Sequence, residues 1–542
     1  MLKMVDGTGI IGVDMVCPLG ATVSPPQPPN YDNIEMEGIG SLMLPNSLKA
    51  PLERLELIGN SMQGENPSPD NPQEIKNAGR KSKNLFNIAD LRVGQVQKDG
   101  TINEKQIYYR TVILDVPQDG KYRITFNSND DYTMLYFTEA YANGAYSNPY
   151  IRVHAGSPNY YITLAKGKNI LSFSTHTASG NIAFTTDHNI MIAAESETLG
   201  YEPYGYLLDV KVTGENLLDM ADIQNENGKI DSDFGKAKSI KPFKVIKDRK
   251  YLLISKGTMI VDVRYSSIYF GEDDLAYGQD SSRKLTTGVG YSCFIGTETR
   301  KILVAKETCT ITKTMMHGTR TEKDAYEVEE LGLFEIINDN PNTPYEPYTE
   351  QTLTLTSDRP ITKWDRLVEQ GGQYGWLYGS KIYVVTGNEV FESRDGYNIE
   401  SYTNRFFILN DLLKENDVLK PLAYMKCLRN VQYVYSPNIF EEGFETNINQ
   451  FHIKLSNDRV GILASDDHAV RTAKFSGYMK KIHKNGNPIE ILYATTDTVF
   501  FPLSQEEQTQ LRNLHSYNGT TNIMVDSGEV ECGIKLTYRK EI

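Results

Sequence analysis

The sequence predicts a mainly β protein: tandem antiparallel β-sandwiches followed by a C-terminal α+β domain. Three observations carry this. Short alternating apolar runs recur between Gly, Asn and Asp turns, with little helical periodicity over most of the chain. A long segment repeats itself. Helix-capping signals gather only near the C-terminal end.

In chain order, residues 1–83 read as an extended attachment arm, because "SPPQPPN" at 24–30 is a polyproline-type connector. Within it "ERLELIG" at 53–59 alternates as one strand, and the Pro- and Gly-rich "GNSMQGENPSPDNPQEI" at 59–75 excludes helix. The repeat follows. "NLFNIADL" at 84–91 matches "NLLDMADI" at 216–223, and each unit closes on Tyr-Glu-Pro-Tyr, at 201–204 and 345–348. Between these marks, runs such as "YYRTVILDV", "GKYRITFNS", "RKYLLIS" and "RKILVA" read as sandwich strands. This divides the chain into module 1 at 84–213, module 2 at 214–356 and an α+β domain at 357–542. In the last, "GQYGWLYGSKIYVV" reads as a hairpin and "SDDHAVRTAKFSGYMKKIHKNGNP" as a capped helix with basic residues at its C-terminal end. "LSQEEQTQLRNLHSY" carries a Ser504–Glu507 capping box, and "TNIMVDSGEVECGIKLTY" reads as a hairpin around "DSGE".

A net charge of -14 over 542 residues gives no basic stripe for phosphate backbones, so nucleic acid is excluded as a partner. No apolar run reaches the roughly 20 residues of a membrane span, and no signal peptide is expected. The five cysteines are scattered and fit neither a disulfide framework nor a zinc site, which suits synthesis in a reducing compartment. No GxSxG, HExxH, P-loop or GxGxxG after a strand occurs, so no catalytic residue is assigned.

Two binding readings remain. Tyr141, Tyr146 and Tyr150 fall in the turn-rich "AYANGAYSNPY", where rings can stack on sugars while Asn143, Asn148 and Asp130 bond hydroxyls. The competing reading is that these rings cover a sandwich edge. "GEDDLAYGQD" places Glu272, Asp273, Asp274 and Asp280 within ten residues, an arrangement a calcium ion could use, although without EF-hand spacing. Turn capping is the alternative there. In Tyr-Glu-Pro-Tyr the proline stiffens a bend and throws the two rings to opposite sides, so the motif reads as a module terminator and not as a sugar platform.

"GNSMQGENPSPDNPQEI", the openings "NLF" and "NLL", the closing "YEPY" and "LSQEEQTQLRNLHSYNGTTNI" together resemble tail-tip, baseplate and fibre proteins of phages and prophages of Gram-positive, Firmicutes-type hosts. Glu65-Asn66 departs from the Gly-Thr usual in the first motif, and the resemblance leaves the N-terminal 50 residues uncovered. It implies jelly-roll, carbohydrate-binding-module-like sandwiches in a non-enzymatic virion component assembled in the host cytoplasm. The implied partners are other tail subunits, a host cell-surface polysaccharide and copies of the chain itself, a trimer first. A purely structural connector and a glycan-degrading enzyme are the competing expectations.

Overall fold

The computed structural model describes residues 5–6, 9–10, 31–126, 134–155, 160–177, 180–182, 189–197, 200–224, 229–231, 237–259, 266–276, 278–287, 293–295, 298–317, 325–336, 342–394, 404–409, 423–429, 442–447 and 450–542. They form a mainly β structure of antiparallel sheets with three α-helices among the described residues.

Its centre is a twelve-stranded sheet assembled from distant parts of the chain. Tyr206–Thr213 and Glu350–Ser357 pair along their whole length. Gly519–Asp526 joins the first of these. Tyr31–Ile39 pairs with Gly533–Glu541, and Gln373–Val384 with Glu490–Pro502. One apolar face of this sheet, including Leu44, Leu57, Val212, Leu355, Trp376 and Ile523, makes a single buried core.

Two sequence expectations change here. Tyr31–Ile39 and Ser41–Ser47, read as part of an extended arm, are paired strands of this sheet, while the strand expected at 53–59 forms at Glu53–Ile58. The alternation of Leu42 with Leu44 and of Leu55 with Leu57 buries one face of each strand, but the partner strands lie almost 500 residues away in sequence. The expected hairpin around "DSGE" is also absent. Ser41–Ser47 lies between Gly519–Asp526 and Gly533–Glu541 in the strand order. The Gly40 turn, at φ +69°, a conformation that favours glycine, brings this strand in. The hairpin expected within "GQYGWLYGSKIYVV" has its turn at Gly371–Gly372 and pairs Arg366–Gln370 with Gln373–Val384. The two C-terminal helices form as expected. His468–Lys484 is capped by Asp467, and Gln505–Asn513 has the full Ser504–Glu507 capping box.

Three segments leave the central sheet and return to it at directly paired positions. The closing strands of the expected modules, Tyr206–Thr213 and Glu350–Ser357, belong to the central sheet, so Lys81 and Tyr206 flank the sandwich of module 1, Thr213 and Glu350 that of module 2, and Val384 and Glu490 the α+β segment. Ends this close let a whole module be inserted without stretching the host sheet.

The two modules match strand for strand. In module 1, Tyr109–Val116, Gly167–Thr177 and Met134–Ala142 are adjacent in one sheet, and Tyr160–Leu164, Gly120–Thr125 and Met191–Ala194 form the other. In module 2 the same places are taken by Ala237–Val245, Cys309–His317 and Ser266–Gly271, and by Glu298–Ala305, Lys250–Met259 and Ala325–Ile336. Each module has its own buried core between the sheets.

The repeated sequence marks are a clasp. Asn84, from "NLF", is buried and donates to the Glu202 carbonyl of the first Tyr-Glu-Pro-Tyr at 3.0 Å, while its Oδ1 accepts from the amides of Phe86 and Ile192. Asn216, from "NLL", donates to the Glu346 carbonyl at 3.1 Å and accepts from Leu218 and Leu333. One side-chain amide thus ties the first residues of each module to its last ones. The short helical turns that follow, Ile88–Asp90 and Met220–Asp222, are capped by Asn87 and Asp219 at equivalent positions.

Candidate functional site

The candidate site is built on the outward face of the larger sheet of module 1. Register places Tyr109 opposite Ser174, Ser174 opposite Tyr136, and Tyr136 opposite Arg152 in one row across four strands. A second row runs Thr111, Ser172, Glu139, and a third runs Ile113, Ile170, Tyr141, Tyr146. An irregularity at Thr138, between Phe137 and Glu139, makes this possible. Without it, Tyr136 and Glu139 would point to opposite faces. With it, Phe137 fills the core while both neighbours reach outward.

A short hairpin, Gln95–Val96 with Ile102–Asn103, covers the middle of this face. The Val96 amide donates to Ser172 and the Thr111 hydroxyl to the Gly94 carbonyl. Its turn lies on Tyr141, since a Cβ on Gly100 would stand 2.7 Å from that ring. What stays open is a strip holding Tyr136, Glu139, Tyr146, Tyr150 and Arg152. Tyr150 is 62% exposed, with its ring centroid 6.2 Å from that of Tyr136. The Arg152 guanidinium sits 5.2 Å from the Tyr136 centroid on the neighbouring strand. Register sets Glu139 between the Tyr136 and Tyr141 rows of this face, and partial burial, then its charge, raises the phenol pKa values of Tyr109 and Tyr146 above the ordinary value. Glu139 accepts a hydrogen bond from the Thr138 hydroxyl and pairs with no lysine or arginine among the described residues.

The residues named from sequence therefore divide. Tyr146 and Tyr150 belong to the open strip. Tyr141 lies on the same face but under the hairpin turn. Asn143, at φ 50°, and Gly144, at φ 81°, make the two-residue turn between Met134–Ala142 and Ala145–Ser147, so Asn143 serves the backbone. Asn148 is exposed beside this strip in sequence, and Asp130 lies outside the described residues. Sequence reading missed Tyr109, Tyr136, Glu139 and Arg152 as members. Their meeting depends on cross-strand register and on the shift at Thr138, and neither is written in local periodicity.

Module 2 holds the same face in a closed form. Tyr269, at the place of Tyr136, lies opposite Met315, and Met315 lies opposite Ala237. Leu275 packs on this row, leaving Tyr269 6% and Met315 1% exposed. The Arg283 guanidinium stacks 3.8 Å from the Tyr269 centroid and pairs with Asp280 at 2.8 Å. Lys284 reaches Glu272 at 2.8 Å and Glu307 at 2.5 Å.

That arrangement overturns the calcium reading of the same segment. Glu272 and Asp280 are taken by Lys284 and Arg283, and Asp273 faces Lys313 and accepts from the Thr312 hydroxyl. Asp274 is exposed. No three His, Cys, Asp or Glu side chains converge to hold a metal among the described residues. Chain cations neutralise the acids that a hard cation would need.

A cleft of about 570 Å³ lies between the central sheet and module 2. Its charges are mutually satisfied: Asp209 pairs with Arg80 and accepts from Thr354, and Lys244 pairs with Glu531 across the opening. It reads as the seam between two bodies. No described helix is long and apolar enough to cross a membrane. No protein-family model, curated protein or solved structure matches the chain.

Proposed function

We propose that this chain is a non-catalytic adhesion component of a phage tail, a tip, baseplate or fibre protein that recognises a host cell-surface glycan through module 1. The single observation that carries this is the open tyrosine strip on the outward sheet face, beside its closed counterpart in module 2. Exposed rings on a rigid sheet supply flat apolar surface for pyranose faces, and the neighbouring carboxylate and guanidinium supply hydrogen bonds to hydroxyls. The placement in a tail rests on the sequence resemblance given above. Other tail subunits and further copies of the chain, a trimer first, are the partners that go with it.

Capture of the intact chain by isolated cell walls of Gram-positive, Firmicutes-type bacteria tests this reading. Wild type is expected to be retained and released by competing soluble wall glycan. Equal loss of retention in Tyr136→Ala and Tyr150→Ala would locate it to the strip. Failure of the wild-type chain to bind any wall preparation would remove the reading, and release of sugar from the walls would replace it with an enzymatic one.

A further inference from the structure

Both modules carry Tyr-Phe-x-Glu, Tyr136 to Glu139 and Tyr269 to Glu272, but the shift at Thr138 sets Glu139 opposite Ser172 on the Tyr136 face, whereas Gly271 pairs with Lys313 without a shift and Glu272 follows the end of its strand. In module 2 that carboxylate carries an ammonium from its own chain, the Lys284 Nζ at 2.8 Å. The Lys284 amide donates to the Phe270 carbonyl, so Lys284 lies alongside Phe270. The residue opposite Phe137 in module 1 is Ile151. Ile151 packs on the module 1 core, and Glu139, on the other face, pairs with no lysine or arginine among the described residues.

The surroundings favour a cation at this spot. Tyr150 offers an exposed ring, 6.2 Å from that of Tyr136, and Tyr136 and Tyr146 lie on the rows that flank Glu139 on the same face. Aromatic faces around a carboxylate bind ammonium groups by cation–π attraction and a charge-assisted hydrogen bond. Arg152 is stacked on Tyr136 and occupies only one of these rings.

We infer that Glu139 is the specificity element of the module 1 strip and takes a free ammonium group borne by the glycan. The matching row of module 2, Tyr269 with Met315, is closed by Leu275. This rests on the glycan-binding reading above. The ammonium could be an amino sugar or an aminoacyl ester on a polyol, and the test separates the two.

The intact chain is titrated against matched probes: glucosamine oligomers and their N-acetylated forms, and a polyol-phosphate polymer with and without alanyl esters. Binding of one free-amine probe about tenfold tighter than its amine-free partner is expected, with the difference abolished in Glu139→Gln. Whichever pair shows the preference identifies the source. The wild-type comparison needs no variant, so a misfolded mutant cannot hide the answer. Equal binding of amine and amine-free probes overturns the inference while leaving glycan recognition standing. Absence of binding to every probe and to cell walls overturns both. Weakened self-association in Glu139→Gln, without any sugar preference, also overturns the inference, because the ammonium would then be a lysine of a second copy.

Discussion

Module 1 and module 2 share their strand order, their asparagine clasp and their Tyr-Phe-x-Glu spacing, yet present opposite surfaces at the same place. In module 2 the row Ala237–Met315–Tyr269 is sealed by Leu275, and every nearby acid except the exposed Asp274 is matched to a lysine, an arginine or a hydroxyl. In module 1 the row Tyr109–Ser174–Tyr136 ends at Arg152, beside an exposed Tyr150 and a carboxylate, Glu139, that pairs with no lysine or arginine among the described residues. Fold and surface are thus separable: a few residues on one loop decide whether a sandwich face becomes core or remains available.

The sharpest way to break this comparison is to exchange its symptoms. Tyr269→Ala removes a buried ring and is expected to cost about 3 kcal/mol of module 2 stability, with glycan capture unchanged. Tyr136→Ala removes a half-exposed ring and is expected to do the reverse, with capture lost and a melting temperature near wild type. Calorimetry and wall retention on both variants check the pair.

The clasp should act alike in both modules. Asn84→Ala and Asn216→Ala each strand buried amides and a carbonyl, so a cost of about 3 kcal/mol is expected from either, confined to its own module. Hydrogen exchange resolved by segment reads this directly. A loss in module 1 alone would show that the two clasps are not equivalent.

A smaller effect follows from giving module 1 the lysine of module 2. Ile151→Lys puts its side chain on the core face beside Phe137, away from Glu139, so it is expected to leave the preference for amine-bearing probes intact while costing about 1–3 kcal/mol of stability for lost packing. Titration with the paired probes measures it.

The seams at the central sheet differ as well, and pH exposes the difference. Burial opposes ionisation of Glu350, but hydrogen bonds from Lys241 and Tyr348 outweigh it and hold the carboxyl below its ordinary value of 4.5. A depressed folded value means that its stabilisation is complete above about pH 4.5 and is lost as pH falls through the lower folded value. Docking of module 2 is expected to loosen on acidification, seen as earlier proteolysis near Thr349. Glu350→Gln should remove most of that pH dependence. The module 1 seam, Arg80 with Glu202 at 2.8 Å and Asp209 at 3.0 Å, is partly solvent-screened and should change by less.

These features were unequally legible in the sequence. The repeat could be read, because the clasp uses asparagine at both openings and the Glu carbonyl of both closings. The terminator reading of Tyr-Glu-Pro-Tyr also fits the geometry. Tyr201 and Tyr204 are both exposed, and the motif's carbonyl is held by Asn84. The central sheet could not be read. Leu42 and Leu57 announce strands, but only the folded chain brings them beside Ile523 and Ile534. Part of the site was visible as Tyr146 and Tyr150. The rest depended on a one-residue shift at Thr138 that turns Glu139 toward Tyr136.

On the proposed reading, the face open in module 1 captures glycan and the matching face in module 2 does not. Retention of the intact chain on host-type cell walls tests this most directly, comparing wild type, the double variant Tyr136→Ala/Tyr150→Ala and Tyr269→Ala. Retention by wild type and Tyr269→Ala, with none by the double variant, is the result expected. Undiminished retention of a folded Tyr136→Ala/Tyr150→Ala chain would contradict it.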